Sequence, residues 1–267
     1  MSVKAKKSLG QNFLQDSGII EQILAVAEIG RADKVFEIGP GTGALTDALS
    51  SRAKQVLAME LDHELVERLT EHFEASGGVS ILEGNILDVN LQEVLTHAGY
   101  ESQQYKVVAN IPYYITAPIV RTLLSLPIQP VSLTLMVQKE VAERMTAAPG
   151  EMSLLSIMVQ YYSDARIALL VPREVFDPVP KVDSAVVQLI PKRRYDAEGD
   201  RKLFRIARAG FAARRKTLAN NLASSFQLEK QKIESILESC ELRSDIRAQA
   251  LSVSDWERLQ TKLMSDE

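Results

Sequence analysis

The amino-acid sequence predicts an α/β protein, with a mostly parallel sheet of seven strands followed by a small all-helical C-terminal domain. Over the first two-thirds of the 267 residues, short runs rich in Val, Ile and Leu alternate with helical patterns. Such strand–helix–strand repetition is typical of parallel sheets with right-handed crossovers. Beyond Pro191 only helical patterns follow. We therefore place a domain boundary after residue 194, which gives domains of residues 1–194 and 195–267.

Seven runs are predicted as strands because each is short, apolar and bounded by turn residues. In chain order they are residues 34–38, 55–59, 79–82, 105–109, 132–137, 166–171 and 184–190. The first five show little polar alternation, which is typical of strands covered on both faces. The last two are joined by a proline-rich loop without a helix, so the edge of the sheet is open to an antiparallel pairing.

Helical periodicity occurs between these strands and throughout the C-terminal region. The predicted helices include residues 43–52, 63–74, 117–126, 218–226, 229–238 and 254–264. Before the fourth of these, Leu203, Ile206 and Ala207 share one helical face. Ser254 and Glu257 have the spacing of a capping box, which predicts the start of the last helix.

The composition excludes several classes of protein. A single cysteine, Cys240, rules out an intramolecular disulfide framework and a multi-cysteine metal site. We therefore expect no metal and a reducing, cytoplasmic setting. No apolar run approaches the ~20 residues that span a bilayer, so we expect no membrane partner. The polar stretch at residues 9–16 also argues against a signal peptide.

The formal net charge of −4 conceals an uneven distribution of charge. Between Lys192 and Lys216 there are ten Lys and Arg residues and three acidic residues. Lys4, Lys6 and Lys7 form a second, shorter basic patch. Charge alone leaves two interpretations open, namely a surface that binds a polyanion and an ordinary solvated helix face.

A glycine-rich loop, Glu37-Ile-Gly39-Pro-Gly41-Thr-Gly43-Ala44, directly follows the first predicted strand and opens a helix. Glycines let the backbone turn sharply and approach a ligand closely. Because the loop also matches the dinucleotide fingerprint, it fits NAD as well as other adenine nucleosides. Glu60 follows the second strand, where a carboxylate can accept ribose hydroxyls. Glu37 can face a methionine ammonium, which favours S-adenosylmethionine over NAD.

The tetrapeptide Asn110-Ile-Pro112-Tyr113 ends the fourth strand, and ligands of parallel α/β sheets bind at such carboxyl ends. An adenine amine is a poor nucleophile because its lone pair is delocalised into the ring. The carbonyl of the Asn110 side chain and a neighbouring backbone carbonyl can accept its hydrogens and direct the lone pair at a methyl donor. Tyr113 would stack on the base. Phe176 precedes a proline-stiffened loop, so we expect an exposed, rigidly held ring.

Six blocks of the sequence together resemble one family. They are residues 7–14 (KSLGQNFL), 37–46 (EIGPGTGALT), 110–114 (NIPYY), 137–145 (VQKEVAERM), 176–184 (FDPVPKVDS) and 211–218 (FAARRKTL). In these blocks the chain is similar to the ribosomal RNA adenine dimethyltransferases of the KsgA (RsmA) type. The resemblance implies a Rossmann-like class I methyltransferase domain at residues 1–194 and a helical domain that binds RNA or the ribosome at residues 195–267.

The resemblance also implies a reaction. Its substrate would be two adjacent adenosines in the 3′-terminal hairpin loop of 16S rRNA, within the immature 30S subunit. S-adenosylmethionine would supply the methyl groups and leave as S-adenosylhomocysteine. We expect a monomer by default.

By the same resemblance, three sets of residues take roles in this reaction. Donor binding is expected at Asn12, Leu14, Gly39, Gly41, Glu60, Asn85 and Asn110. The target base is expected at Asn110, Pro112, Tyr113 and Phe176. RNA binding is expected at Lys7, Arg214, Arg215 and Lys216. Family members often carry Asp in place of Asn85, which leaves Asp88 as an alternative partner for the donor's adenine.

Three other functions stay open. The first is an Erm-type methyltransferase of large-subunit rRNA, although residues 9–14 and 176–184 favour the small-subunit enzyme. The second is a non-enzymatic assembly factor that binds immature small subunits through its basic face. The third is an NAD-dependent oxidoreductase, which rests only on the degenerate glycine loop.

Overall fold

The computed structural model describes residues 5–6, 9–192 and 196–264. The chain divides into two compact units, one of Met1–Glu143 and Ser163–Arg194, the other of Arg144–Tyr162 and Tyr195–Glu267. The division after Arg194 coincides with the boundary expected from the sequence. Residues 144–162 differ from that expectation, because they belong to the second unit and not to the first.

The first unit is built on a seven-stranded sheet. Its strands are β2 (Lys34–Ile38), β3 (Gln55–Glu60), β4 (Val79–Glu83), β5 (Tyr105–Asn110), β6 (Ser132–Gln138), β7 (Ser163–Val171) and β9 (Ser184–Pro191). They lie in the order β4-β3-β2-β5-β6-β9-β7. Strands β2 to β6 are parallel, and β9 pairs antiparallel with both β6 and β7. The prediction of a mostly parallel seven-stranded sheet is confirmed.

The position of each strand in the sheet explains its exposure. Strands β2, β3, β5 and β6 are central and almost wholly buried. The prediction that β4 is covered on both faces is wrong, since this strand lies at the edge of the sheet and is partly exposed. The apolar run of β4 therefore does not indicate a strand buried on both faces, whereas the apolar runs of the central strands do.

Helices of the first unit follow the strands. They are α1 (Ser17–Val26), α2 (Ala44–Ser50), α3 (His63–Phe73), α4 (Leu91–His97), α5 (Thr116–Leu124) and α6 (Lys139–Met145), the last of which runs across the division between the units. Apolar side chains of α1 and α2 pack on the sheet beside Val35, Val56 and Val108. In the described part of the chain, no helix is long and apolar enough to cross a bilayer.

A second sheet of two short strands, not predicted from the sequence, joins two distant segments of the first unit. We call it the β1–β8 ribbon. Strand β1 (Phe13–Leu14) pairs antiparallel with β8 (Phe176–Asp177). The backbone N–H of Gln15 extends the pairing by donating to the Val175 carbonyl at 3.1 Å. The ribbon thereby holds the N-terminal segment, by which we mean the described residues up to Leu14, against the start of the proline-rich loop.

The second unit is helical and contains α7 (Leu154–Tyr162), α8 (Ala197–Gly210), α9 (Leu218–Phe226), α10 (Lys230–Ser239) and α11 (Val253–Met264). Helix α7 belongs here because the hydroxyls of Tyr161 and Tyr162 donate to the buried Asp200 carboxylate at 2.9 and 2.6 Å. Trp256 is fully buried and leaves no room for a Cβ atom at Gly210.

The capping box predicted at Ser254 and Glu257 is wrong by two residues. The reciprocal bonds run from the Asp255 N–H to the Ser252 hydroxyl at 3.2 Å and from the Ser252 N–H to the Asp255 carboxylate at 2.8 Å. An aspartate at the fourth position of the box accepts the same bond as a glutamate, so the sequence offers two overlapping candidates.

Candidate active site

The register of the sheet brings three predicted site residues to one level. Ile38 lies opposite Met59 on one side and Ala109 on the other. The next residues along the chain are Gly39, Glu60 and Asn110, so all three lie at the carboxyl edge of the sheet. They line one cleft that encloses about 1050 Å³ of empty space, open solvent at its mouth included.

Every residue expected at the donor lines this cleft, together with three of the four expected at the target base. The lining includes Asn12, Leu14, Gly39, Gly41, Glu60, Asn85, Asn110, Pro112 and Tyr113. Residues 9–14 of the N-terminal segment form one wall and the glycine loop forms another. The carboxyl edge of the parallel strands thus gathers parts of the chain that are far apart in sequence.

The glycine loop adopts a conformation that side chains disfavour. Gly39, Gly41 and Gly43 all have positive φ angles, of 65°, 61° and 91°. At Gly41 a Cβ atom would also lie only 3.0 Å from the ring of Phe13. The N-terminal segment therefore packs directly on the loop, and glycine is required for both the turn and the close approach.

The Glu60 carboxylate is held by backbone donors. Its Oε1 accepts from the N–H groups of Leu61 and Asp62 at 2.8 and 3.0 Å, and its Oε2 accepts from Gly41 at 3.1 Å. The side chain is 7% exposed and lines the cleft. A carboxylate oxygen has two lone pairs, so Oε2 keeps one for a ligand hydroxyl.

Glu37 is a buried acid without a full set of partners. It is 1% exposed, and its Oε2 has no hydrogen bond within the described residues. Burial raises the pKa of Glu37 to about 8. An unpaired buried carboxylate is costly unless a cation or donor reaches it. Because Glu37 lines the cleft, an ammonium group of a ligand fits this position.

The Asn110 side chain has a fixed orientation. Its Nδ2 donates to the backbone carbonyl of Asn12 at 3.2 Å. A carbonyl oxygen only accepts, so the amide nitrogen faces Asn12 and Oδ1 points elsewhere. Oδ1 makes no hydrogen bond within the described part of the chain. An acceptor is thus available in the cleft at the end of β5.

Pro112 and Tyr113 continue the chain beyond Asn110. Pro112 precedes a single 3₁₀ turn, Tyr113–Ile115. The Tyr113 hydroxyl is hydrogen-bonded to that of Ser184 at 2.6 Å, which anchors the half-buried ring at its far end. Burial raises the pKa of Tyr113, so the phenol stays protonated at neutral pH.

The expectation of an exposed ring at Phe176 is wrong. Phe176 is 3% exposed and packs in the core beside Leu14, because the β1–β8 ribbon turns it inward. The ring at the cleft that is exposed is Tyr114, with 58% of its surface accessible. A Cβ atom at Gly10 would lie 3.1 Å from the Tyr114 ring, so the two residues are in close contact.

Asn85 and Asp88 are joined by a hydrogen bond. The Asn85 Nδ2 donates to the Asp88 carboxylate at 2.7 Å, and its Oδ1 accepts from the Leu87 N–H at 3.1 Å. Asn85 lines the cleft, whereas Asp88 is exposed and does not. The structure therefore gives the two side chains different places, with Asp88 holding the amide of Asn85.

One residue beside the cleft, Asp62, was missed by the sequence analysis. The buried carboxylate of Asp62 accepts from Lys6 Nζ at 2.5 Å and from Gln11 Nε2 at 3.1 Å. Asp62 is also the N-cap of α3. An Asp two residues beyond a binding acid is a visible signal, but only the fold shows that it meets the N-terminal segment.

The predicted RNA-binding residues of the second unit lie on residues 211–217, which we call the basic loop. Arg214, Arg215 and Lys216 are exposed, and none has a carboxylate within 4.0 Å in the described ranges. The loop itself is held by Asn221, whose Nδ2 donates to the carbonyls of Gly210 and Ala213 at 2.6 and 3.0 Å. Lys7, the remaining prediction, lies outside the described residues. Across residues 5–6, 9–192 and 196–264, no three His, Cys, Asp or Glu side chains are grouped to hold a metal.

Comparison with solved structures gives the class of protein. A dimethyladenosine transferase from Plasmodium falciparum matches 95% of this chain and 98% of its own, with 27% identity and a TM-score of 0.78. The 23S rRNA methyltransferase ErmE matches 95% of this chain and 100% of its own, with 26% identity and a TM-score of 0.71. The fold and the cleft therefore define a class I methyltransferase that uses S-adenosylmethionine.

Sequence comparison gives the family. The family model described as ribosomal RNA adenine dimethylase matches residues 2–259. A ribosomal RNA small subunit methyltransferase A from Dehalococcoides mccartyi is 40% identical over 260 residues, which are 97% of this chain and 88% of that protein. The chain belongs to the ribosomal RNA adenine dimethylase family.

Proposed function

We propose that this enzyme dimethylates the exocyclic amines of two adjacent adenosines near the 3′ end of 16S rRNA, in the immature 30S subunit. The observation that carries the proposal is the Asn110 side chain, whose nitrogen is bound by Asn12 and whose oxygen is available in the cleft. The same cleft contains two buried acids, Glu37 and Glu60, and Oε2 of Glu37 has no hydrogen-bond partner among the described residues. Together they match an adenine amine and a cationic donor.

Three side chains bind polar groups of the donor. Glu37 receives the methionine ammonium, Glu60 accepts from the ribose and Asn85 contacts the adenine. Gly39 and Gly41 let the backbone approach the donor, and Asn12 and Leu14 enclose it from the N-terminal side. When bound, S-adenosylmethionine supplies an electrophilic methyl group on a sulfonium.

Asn110 orients the nucleophile. Its Oδ1 accepts one hydrogen of the adenine amine, and a backbone carbonyl of Ile111 or Pro112 accepts the other. This arrangement favours a pyramidal nitrogen with its lone pair directed at the electrophile. Correct positioning of two reactants is worth ~7–11 kcal/mol of a barrier. Tyr113, fixed through Ser184, gives the base a face to stack on.

A strong general base is not required in this cleft. The amine becomes acidic as it is alkylated, so its proton can leave to water without a carboxylate or imidazole beside it. Glu37 and Glu60 are instead committed to the donor. Tyr113 stays neutral because burial raises its pKa. The chain's contribution is therefore positioning and not proton transfer.

The basic loop provides the contact with RNA. Arg214, Arg215 and Lys216 are exposed and have no carboxylate within 4.0 Å in the part of the chain that the structure describes, as expected of side chains that bind phosphates. Lys7 and the other N-terminal lysines would add to the attraction. We further propose that the enzyme acts as a monomer in the cytoplasm, where 30S subunits are assembled.

The proposal is tested by methylation of purified subunits. Unmethylated 30S and 50S subunits are incubated with the protein and labelled S-adenosylmethionine, and the label is mapped by primer extension. We expect label on two adjacent adenosines near the 3′ end of 16S rRNA. Asn110→Ala serves as the inactive control, and Gln92→Ala, an exposed amide on α4, as the active control.

The other outcomes discriminate between the functions left open by the sequence. Label on 23S rRNA in place of 16S rRNA would favour the Erm-type enzyme. Binding to 30S subunits without any transfer would favour a non-enzymatic assembly factor. Equilibrium dialysis with labelled NAD and S-adenosylmethionine tests the oxidoreductase, and we expect only the second compound to bind.

A further inference from the structure

We propose that Asp62 is a positioning residue for the methyl transfer, because it ties the N-terminal segment to the donor site and through that segment orients Asn110. The inference rests on the proposed function and extends it to a residue that touches neither donor nor target base. Asp62 does not line the cleft. Its side chain nevertheless binds the N-terminal segment through Lys6 and Gln11.

The Asp62 carboxylate is buried and fully engaged. It is 5% exposed and accepts from Lys6 Nζ at 2.5 Å, Gln11 Nε2 at 3.1 Å and the Glu64 N–H at 3.2 Å. Burial opposes its ionisation, but the hydrogen bonds from Lys6 and Gln11 outweigh burial and lower the pKa of Asp62. The same pairing raises the pKa of Lys6. The contact is therefore an ion pair at neutral pH.

On one side Asp62 is joined to the donor-binding acid. Its backbone N–H donates to Glu60 Oε1 at 3.0 Å, and Glu60 Oε2 accepts from Gly41 at 3.1 Å. The position of Asp62 is thus fixed relative to the glycine loop. Lys6 and Gln11, which Asp62 binds, are therefore held in place relative to the donor site.

On the other side Asp62 is joined to the catalytic asparagine. Gln11, which donates to Asp62, is followed by Asn12, whose carbonyl accepts from Asn110 Nδ2 at 3.2 Å. Gln11 Oε1 also accepts from the Lys6 N–H at 2.7 Å, so Lys6 and Gln11 bind Asp62 as a pair. If Gln11 is released, the Asn12 carbonyl loses its support and the orientation of Asn110 is no longer fixed.

A simpler role for Asp62 is helix capping, since its side chain accepts from the Glu64 N–H at the start of α3. Asparagine caps helices about as well as aspartate. Asp62→Asn therefore retains the cap but removes the charge that binds Lys6. This substitution separates the two roles.

The experiment measures S-adenosylhomocysteine affinity by calorimetry and kcat on unmethylated 30S subunits. We expect Asp62→Asn to weaken affinity about tenfold, the effect of losing one charged hydrogen bond, and to lower kcat as well. We expect Lys6→Met to weaken affinity by about fivefold, because the Lys6 side chain is 44% exposed and its charge is partly screened. Lys6→Arg should restore wild-type values, and the double variant should be no weaker than Asp62→Asn alone.

The matched control is Glu64→Gln. Glu64 lies on the same helix and its Oε2 is 3.9 Å from Lys6 Nζ, but its side chain is 54% exposed. We expect this variant to bind and turn over like the wild type. Three results would each overturn the inference. They are an affinity of Asp62→Asn equal to that of the wild type, additive losses of affinity in the double variant, and a melting temperature that is lowered in Lys6→Met and equally lowered in Lys6→Arg.

The two proposals fail in different ways. A wild type that methylates 30S subunits while Asp62→Asn is unaffected contradicts only the role of Asp62. The other case is a wild type that methylates nothing. If S-adenosylhomocysteine affinity still falls in Asp62→Asn and in Lys6→Met, with no further loss in the double variant, only the proposed function is contradicted.

Discussion

The two units of the chain use their polar side chains in opposite ways. In and beside the cleft of the first unit, Asn110, Glu60 and Asp62 are each held by hydrogen bonds with residues that are distant in the sequence. In the basic loop of the second unit, Arg214 and Arg215 are exposed and have no carboxylate partner in the described ranges. Under the proposed function, the difference corresponds to a task that needs fixed geometry and one that does not.

Physical reasons for the difference lie in the interactions that each task uses. Methyl transfer depends on the placement of two atoms to within a fraction of an ångström, so its side chains must be held. Attraction of RNA depends on charge, which acts over the Debye length of about 8–10 Å and tolerates many conformations. Substitutions in the two units should therefore separate chemistry from binding.

The largest effect is expected for Asn110→Ala. Loss of the amide removes the acceptor that orients the adenine amine, and misplacement of reacting groups costs about 10²-fold in rate. We expect single-turnover methylation to fall at least that far while affinity for 30S subunits, measured by filter binding, is unchanged. Loss of both activity and binding would show that the two units do not divide the work in this way.

The next largest effect is expected for Glu37→Gln. The neutral amide cannot balance the donor's ammonium, and loss of a charged hydrogen bond in a buried site weakens binding by about thirtyfold. Binding of S-adenosylhomocysteine, which carries the same ammonium, provides the measurement. Undiminished affinity would show that the ammonium binds elsewhere.

Glu37 also makes the stability of the ligand-free protein depend on pH. Burial raises its pKa from 4.5 to about 8, so between these values the folded chain retains a proton that the unfolded chain has released. The free energy of unfolding should consequently fall as pH rises through this interval, by on the order of 4 kcal/mol in total. Urea unfolding at pH 5.5 and 8.5 tests this, and Glu37→Gln should abolish the contribution. A wild-type pH dependence that Glu37→Gln leaves unchanged would contradict the assignment.

A smaller effect is expected from removal of the three cations of the basic loop. Replacement of Arg214, Arg215 and Lys216 by Ala should weaken 30S binding by about tenfold at physiological salt and reduce the salt dependence by about two to three counterions. Donor affinity should not change. Arg243→Ala is the matched control, because this exposed arginine of the same unit is already paired with Asp245. An equal loss in the control would argue against a specific role of the loop.

Much of the fold and of the candidate site could be predicted from the sequence. The predictions that failed share one physical cause. The glycine loop, Glu60 and Asn110 could be predicted because each follows a strand, and the carboxyl ends of parallel strands share one edge of the sheet. The local sequence pattern and the topology of the sheet together bring these residues to one site. The seven strands of the main sheet were predicted within three residues of their observed ends, since their apolar runs are short and clearly bounded.

The failures concern contacts that no local pattern encodes. Phe176 was expected to be exposed because its proline-rich surroundings resemble a surface loop, but pairing of β8 with β1 buries its ring. Residues 154–162 were included in the first domain by their position in the chain, with no helix predicted there, whereas Tyr161 and Tyr162 bind Asp200 of the second unit. Asp62 was overlooked because its partner Lys6 lies 56 residues away. Each of these depends on pairing between distant segments.

The smallest effect is expected at the adenine of the donor, where the sequence left Asn85 and Asp88 as alternatives. Of the two, only Asn85 lines the cleft, and its Nδ2 donates to the Asp88 carboxylate at 2.7 Å. Asn85→Ala should raise the dissociation constant of S-adenosylhomocysteine by about fivefold, the effect of one neutral hydrogen bond.

Asp88→Ala should raise that dissociation constant by less, since it frees the amide without removing it. Calorimetry on the two variants and on their double variant distinguishes the arrangements. If Asp88 acts only through Asn85, the double variant will match Asn85→Ala. A larger loss for Asp88→Ala than for Asn85→Ala would instead place the exposed carboxylate at the adenine, and would show that the loop after β4 rearranges when the donor binds.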